Sequence, residues 1–318
     1  MLKERFVYII IFILSFCRME GQTSSDSTKI SLAYPVYSQY LQNGLLINPA
    51  YAGSREVLSF FMSGRLQWAG IDGAPRSETL SMHSLLKDER VGLGLTGQMF
   101  TYGLTKSYSI YADYAYHLRL GSGKLSLGLR TGFDLSNTDY SNILLNDKND
   151  EAFMVNDKPY FLPNAGAGLY YYSKKFFIGA AIPSFLNYVN DGGGKVSFNV
   201  FSDYDVYISA GGLITFTPFF KFKPSVFIDY SVQKTKKMQM DLNGNFIISD
   251  LVWIGGSWRT SEQVAVGILQ LQLNPQLMIG YSYDYPVGML NNYSKGSHEI
   301  VLRYEFNYKV NAANPRYF

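Results

Sequence analysis

The residues of this 318-residue chain that could do chemistry are few, and their spacing argues against most of the chemistry they suggest. Gly92-Leu93-Gly94-Leu95-Thr96-Gly97 matches the G-x-G-x-x-G turn that cradles a pyrophosphate. Such a turn must open a helix, because the helix N-terminal amides bind the phosphates. Here Gln98, Met99 and Phe100 lead to a turn and another alternating stretch, so these glycines read as bends or packing room within a strand. The segment from Asn146 to Lys158 holds Asp147, Asn149, Asp150, Glu151 and Asp157. A calcium loop would need glycine where Ala152 stands and a bidentate glutamate where Lys158 stands. A solvated acidic surface loop fits better, with weak calcium or lipopolysaccharide-bridging contacts as the alternative. His83, His117 and His298 are the only histidines, and no pair has ligand spacing. No G-x-S-x-G marks a nucleophile. The expectation is a non-enzymatic protein with no catalytic residue, cofactor or metal.

Composition turns attention to the elements. Charged residues make up 17%, apolar residues 47% and aromatic residues 16%, with 26 Tyr and 22 Phe against 3 Trp, and 29 Gly. Mean hydropathy is −0.04. Beyond the first segment there is no run of about 20 apolar residues, so no helix is expected to span a bilayer. Near-neutral hydropathy with abundant Tyr is what polar-in, apolar-out alternation averages to; a soluble β-protein is the alternative. The net charge of +3, with Lys234-Thr235-Lys236-Lys237 as the densest basic run, gives no phosphate-tracking stripe and excludes nucleic acid as a partner.

At the N-terminus, Lys3 and Arg5 precede a short apolar run from Phe6 to Phe16, the pattern of a signal peptide. Cleavage after Gly21 would leave no cysteine in the mature chain. The sole cysteine, Cys17, follows Leu14-Ser15-Phe16, a loose lipobox whose bulky Phe16 argues against lipidation. The expected division is a signal peptide over 1–21, a periplasmic or lumen segment over 22–56, and a barrel over 57–318.

Period-two alternation recurs at lengths near the 9–11 residues of a tilted membrane strand. Val57, Ser59, Phe61, Ser63, Arg65 and Gln67 alternate with Leu58, Phe60, Met62, Gly64, Leu66 and Trp68. Ser109, Tyr111, Asp113, Ala115, His117 and Arg119 oppose Tyr108, Ile110, Ala112, Tyr114, Tyr116 and Leu118. Asp229, Asp241, Arg303 and Glu305 likewise fall on single faces of later strands. A charge facing lipid costs about 2–4 kcal/mol at the midplane, so these faces are assigned to the lumen. About fourteen strands are expected, at about 57–68, 76–86, 91–101, 106–119, 123–136, 161–172, 175–182, 204–217, 221–233, 236–248, 250–259, 262–272, 275–285 and 298–309. The fold class is all-β, a transmembrane antiparallel β-barrel. An even count closes it with both ends of the barrel on one side and leaves no edge.

The connections sort by parity. Short turns follow the even strands, as at Leu120-Gly121-Ser122, Ser173-Lys174 and Ser249-Asp250. The long connections, from Asn137 to Tyr160, Pro183 to Asp203 and Pro286 to Ser297, follow odd ones. Outer-membrane barrels show this asymmetry, with long loops outside and tight turns in the periplasm. The loop Ala69–Pro75 is therefore extracellular, and the residues before Val57 either begin in the periplasm or fold up into the lumen. The terminal Arg316-Tyr317-Phe318 ends on the aromatic residue typical of such barrels, although Asn314-Pro315 separates it from the last strand.

Two blocks carry a resemblance. Asn48-Pro49-Ala50-Tyr51-Ala52-Gly53, followed by Arg65-x-Gln67-Trp68-x-Gly70-Ile71-x-Gly73-Ala74-Pro75, resembles the PorP/SprF family of Bacteroidetes outer-membrane proteins. The resemblance implies a non-enzymatic component of the type IX secretion system, which exports large surface proteins and adhesins, some serving gliding motility. It also implies partners: outer-membrane lipid, the C-terminal sorting domains of secreted substrates, and periplasmic components of the machine. Asn48, Pro49, Tyr51, Gly53, Arg65, Gln67, Trp68, Gly73, Ala74 and Pro75 are the candidate partner-binding or plug residues. Arg65 and Gln67 read equally as a lumen hydrogen-bond network, and Trp68 as an interfacial anchor. The alternative function is a channel for hydrophobic small molecules such as long-chain fatty acids, which calls for an apolar lumen and a lateral opening.

Overall fold

A computed structural model describes residues 37–86, 90–139, 159–189, 195–198, 204–231, 238–306 and 317. The described residues all fall within one compact unit, Leu32–Phe318. The expected signal segment, Cys17 and the acidic stretch from Asn146 to Lys158 thus lie outside the described residues.

The strands are β1 (Leu58–Leu66), β2 (Arg76–Leu85), β3 (Val91–Tyr102), β4 (Thr105–Leu120), β5 (Gly123–Thr138), β6 (Tyr160–Tyr172), β7 (Phe176–Ile182), β8 (Leu186–Val189), β9 (Lys195–Phe198), β10 (Asp205–Gly212), β11 (Ile214–Thr217), β12 (Phe220–Ser231), β13 (Gln239–Ile248), β14 (Val252–Arg259), β15 (Val264–Gln272), β16 (Leu277–Pro286) and β17 (Ser297–Phe306). β1 to β7 and β11 to β17 pair antiparallel with their chain neighbours, β10 pairs with both β7 and β12, β1 pairs with β17, and β8 and β9 pair with each other in a separate sheet. The result is a closed 14-strand barrel with one extra strand. That extra strand, β11, continues β10 past Leu213 and meets β12 through a register shift between Thr215 and Thr217. The expected strand from 204 to 217 is therefore interrupted at Leu213, and its last part is irregular, as at a bulge that bends a strand locally. The separate β8–β9 hairpin was not anticipated. Its four-residue strands put only about two side chains on each face, too few to register as alternation.

Alternation decides which way each wall residue points. Along β2, Ser77, Thr79, Ser81 and His83 are buried, while Glu78, Leu80 and Met82 are exposed. On β17, Glu299, Val301 and Arg303 are buried and Ile300 is 60% exposed. Polar and charged side chains thus face inward and a band of Leu, Ile, Phe and Tyr faces outward, the reverse of a water-soluble protein. No helix among the described residues is long and apolar enough to cross a membrane. Tight turns close one rim, including a left-handed Gly121 between β4 and β5 and left-handed Ser249 and Asp250 between β13 and β14. Such turns need positive φ to match the strand twist. The strand ends at Thr138, Tyr160, Ile182, Asp205, Pro286 and Ser297, which border the longer connections, stand on the opposite, outer rim.

Candidate functional site: a lumen filled from the N-terminal side

Residues 37–55 occupy the barrel interior. They form three single-turn 3-10 helices, Tyr40–Gln42, Gly44–Leu46 and Pro49–Tyr51. The last is set by its sequence. The Asn48 side chain accepts from the Ala50 amide at 2.9 Å, and Pro49 supplies the first helical position, where no amide hydrogen is needed. Left-handed Gly53 and Glu56 then turn the chain into β1.

Near the outer rim the plug is fixed by charge. Ser38 Oγ lies 2.7 and 2.8 Å from the two Asp284 carboxylate oxygens, and its amide donates to Glu299 Oε2 at 2.8 Å. Arg65 Nη2 donates to Asp284 at 2.6 Å, while Nη1 reaches Ser38 Oγ at 3.0 Å and Glu299 at 3.3 Å. Arg259 Nη1 lies 3.3 Å from the same carboxylate and 3.1 Å from that of Glu262. Two guanidinium groups are thus interleaved with carboxylates and one plug hydroxyl. That arrangement neutralises charges that burial would otherwise penalise heavily.

At mid-height amides take over. Gln42 donates to Gln270 at 2.7 Å and accepts from Arg303; Asn43 donates to Ser81 at 2.6 Å; Asn243 donates to the Tyr40 hydroxyl at 2.7 Å. Arg130, paired with Asp113 at 2.7 Å, also donates to the Leu45 carbonyl.

Toward the short-turn rim, the Asn48–Gly53 block packs on β3 to β7. Asn48 Nδ2 donates to the carbonyls of Leu169 at 2.9 Å and Ala180 at 3.4 Å. This approach requires glycine in the wall. A Cβ on Gly128 would sit 2.1 Å from the Ala50 nitrogen, and one on Gly168 would sit 2.1 Å from Asn48 Oδ1. The Gly92 of the G-x-G-x-x-G match does the same for the Ala52 carbonyl, which accounts for that motif as packing room in β3. Two histidines complete the seat. The Gly53 amide donates to His83 Nδ1 at 3.0 Å, and His117 Nε2 donates to the Ala52 carbonyl at 2.8 Å. Arg55, 1% exposed, closes the end with a 2.7 Å pair to Glu305. Between plug and wall, the cavity lined by Tyr40, Asn48, Tyr51, Tyr170, Phe177 and Lys223 measures about 20 Å³, room for about one water.

The second block lies on the outer rim. Gln67 and Pro75 are buried and bridged by a 2.9 Å backbone bond, and left-handed Trp68 donates its amide to Ser297 Oγ at 3.1 Å. Ala69 pairs with Gly296 and Lys295, and the Gly73 carbonyl accepts from Gly103 at 2.8 Å. Ala74 closes a turn onto the Ile71 carbonyl. The structure thus separates the ten candidates. Asn48, Pro49, Tyr51 and Gly53 sit within the lumen, Gln67 to Pro75 on the rim, and Arg65 joins rim to plug through Ser38. Sequence reading missed Ser38, Asp284, Glu299 and Arg259 as parts of one network, because they are far apart in the chain. Inward parity was the signal that could have gathered the last three.

The closed wall, its outward apolar band and its filled interior define an integral outer-membrane β-barrel. A solved channel structure agrees on architecture. The chain is similar to the TodX deltaS2S3 mutant monoaromatic hydrocarbon channel, with 11% identity, 86% of this chain and 95% of that chain covered, and a TM-score of 0.50. It is also similar to Acinetobacter baumannii outer membrane protein Omp33, with 8% identity, 79% and 99% covered, and a TM-score of 0.47. At these identities the likeness concerns the fold alone. No curated protein matches the chain. The family described as Type IX secretion system membrane protein PorP/SprF matches residues 30–304, and the chain belongs to it.

Proposed function

We propose that this barrel is a docking or anchoring component of the type IX secretion system rather than a conduit. The observation that carries this reading is the filled lumen. A channel for hydrophobic solutes needs a continuous apolar passage, whereas here charged and amide side chains grip a plug from the outer rim to the periplasmic end. What remains for a partner is surface. The rim built by Trp68, Gly73, Ala74 and the neighbouring loop is the contact for the C-terminal sorting domains of large secreted proteins. The short-turn rim faces the periplasmic components. Residues 1–21 serve as the export signal, 22–56 as the segment that supplies the plug, and 57–318 as the barrel; no chemistry is performed.

The test is the surface proteome and culture supernatant of a strain deleted for this gene, compared with its parent. The reading expects loss of one or a few very large surface proteins, with other exports intact. Unchanged secretion, accompanied by impaired uptake of fatty acids or other hydrophobic solutes, would replace it with the channel reading.

A further inference from the structure

One residue beyond the last strand is held inside the barrel. Tyr317 is 8% exposed and packs with Ile247, Trp253 and Met278. Its ring lies 6.0 Å from that of Trp253, tilted by 33°. The hydroxyl donates to Asp250 Oδ1 at 2.6 Å and accepts from Lys221 Nζ, and the Lys221 ammonium also lies 4.8 Å from the ring centroid. The backbone is read too, since Lys223 Nζ donates to the Tyr317 carbonyl at 2.5 Å. Burial and the Asp250 carboxylate push the phenol's pKa up, so it stays a donor.

The seat belongs entirely to the wall. Lys221 pairs with Ile247 across β12 and β13, and Ile247 pairs with Trp253 across β13 and β14. Lys223 follows two residues on, on the same face. Asp250 stands in the left-handed turn between β13 and β14, and its carboxylate is held 2.6 Å from Lys221. All these groups lie at the short-turn end of the barrel, so the site opens toward the periplasm. Two ladders fix an aromatic wall, a donor–acceptor pair for a phenol and an ammonium for a peptide carbonyl. That is the recognition set for a tyrosyl peptide, preorganised so that binding need not order it.

We propose that the periplasmic mouth is a receptor site for a tyrosine-bearing peptide segment, filled in cis by the chain's own Tyr317, which such a segment of a periplasmic protein can displace. Tethering makes the resident a strong competitor, because a linked ligand acts at an effective concentration in the millimolar range. The proposal does not depend on which protein is secreted, and its test needs no secretion.

The probe is a fluorescent synthetic peptide of residues 311–318, titrated onto barrels in detergent micelles. Barrels lacking residues 312–318 should bind it saturably. The intact chain should bind it at least about tenfold more weakly, through exchange with the resident. A peptide with Tyr317→Phe should bind the truncated barrel about 10- to 100-fold more weakly, because it leaves a charged pair without the hydroxyl. Lys223→Met in the barrel should weaken binding as well. Heat-modifiable migration shows whether each barrel is folded. If truncation impairs assembly, the full chain with Tyr317→Ala takes its place as receptor. A folded receptor that does not bind, or that binds the Phe peptide equally, would overturn the site. Failure of the intact chain to bind up to millimolar peptide would overturn the exchange.

Discussion

A glycine in the middle of a strand is normally a weakness, since it adds backbone entropy and no packing. Gly128 and Gly168 are here the condition for the plug's presence, because any side chain would occupy the space of Ala50 or Asn48. Gly97 is the internal control: it lies on β3, and a Cβ there meets nothing within 4 Å. Gly128→Val is expected to lower stability by about 1–3 kcal/mol or more, as overpacking does, while Gly97→Val changes little. The temperature at which the heat-modifiable form is lost measures both; equal losses would mean the plug does not press on the wall. Arg65 makes a second prediction. Arg65→Met leaves Asp284 and Glu299 buried beside fewer cations and should destabilise by about 3–5 kcal/mol. Adding Glu299→Gln should recover part of that loss, and a double variant no better than the single one would place the cost elsewhere.

At the scale of the strand, inward and outward series have opposite requirements. Met62, at mid-strand on β1, faces outward, as does Glu78 nearer the outer rim of β2. Met62→Arg should reduce membrane assembly, at about 2–4 kcal/mol for a charge near the midplane, whereas Glu78→Arg should be tolerated near the interface. Protease protection of intact cells' outer-membrane fractions reports the folded yield of each. This alternation is also why the wall was legible in the sequence. Each strand repeats its own evidence every two residues, and a charge such as Asp241 or Arg303 on one face leaves only one assignment. The split at Leu213 and the β8–β9 hairpin carried no such repetition. The plug's place was left open between periplasm and lumen, because its contacts are to residues as distant as Asp284 and no local period encodes them. Likewise, nothing local said that Tyr317 would enter the mouth of the barrel.

At the scale of the whole molecule, the plug sets permeability. In planar bilayers the intact protein should show no steady conductance, and a variant lacking residues 37–52 should conduct ions, since the wall it leaves is lined with Arg65, Arg130, Arg303 and their acidic neighbours. A conducting intact protein would show that the lumen is open in solution. The same segment also bears on how the wall is held closed. Its Ser38–Gln42 end is bonded to β15, β16 and β17, and its Asn48–Gly53 end to β2, β4, β6 and β7. The pairing of β1 with β17 is the one ladder between strands distant in the chain. The segment therefore ties the two ends of the sheet together from within, so that its bonds to β2 on one side and to β16 and β17 on the other support the β1–β17 seam that closes the wall.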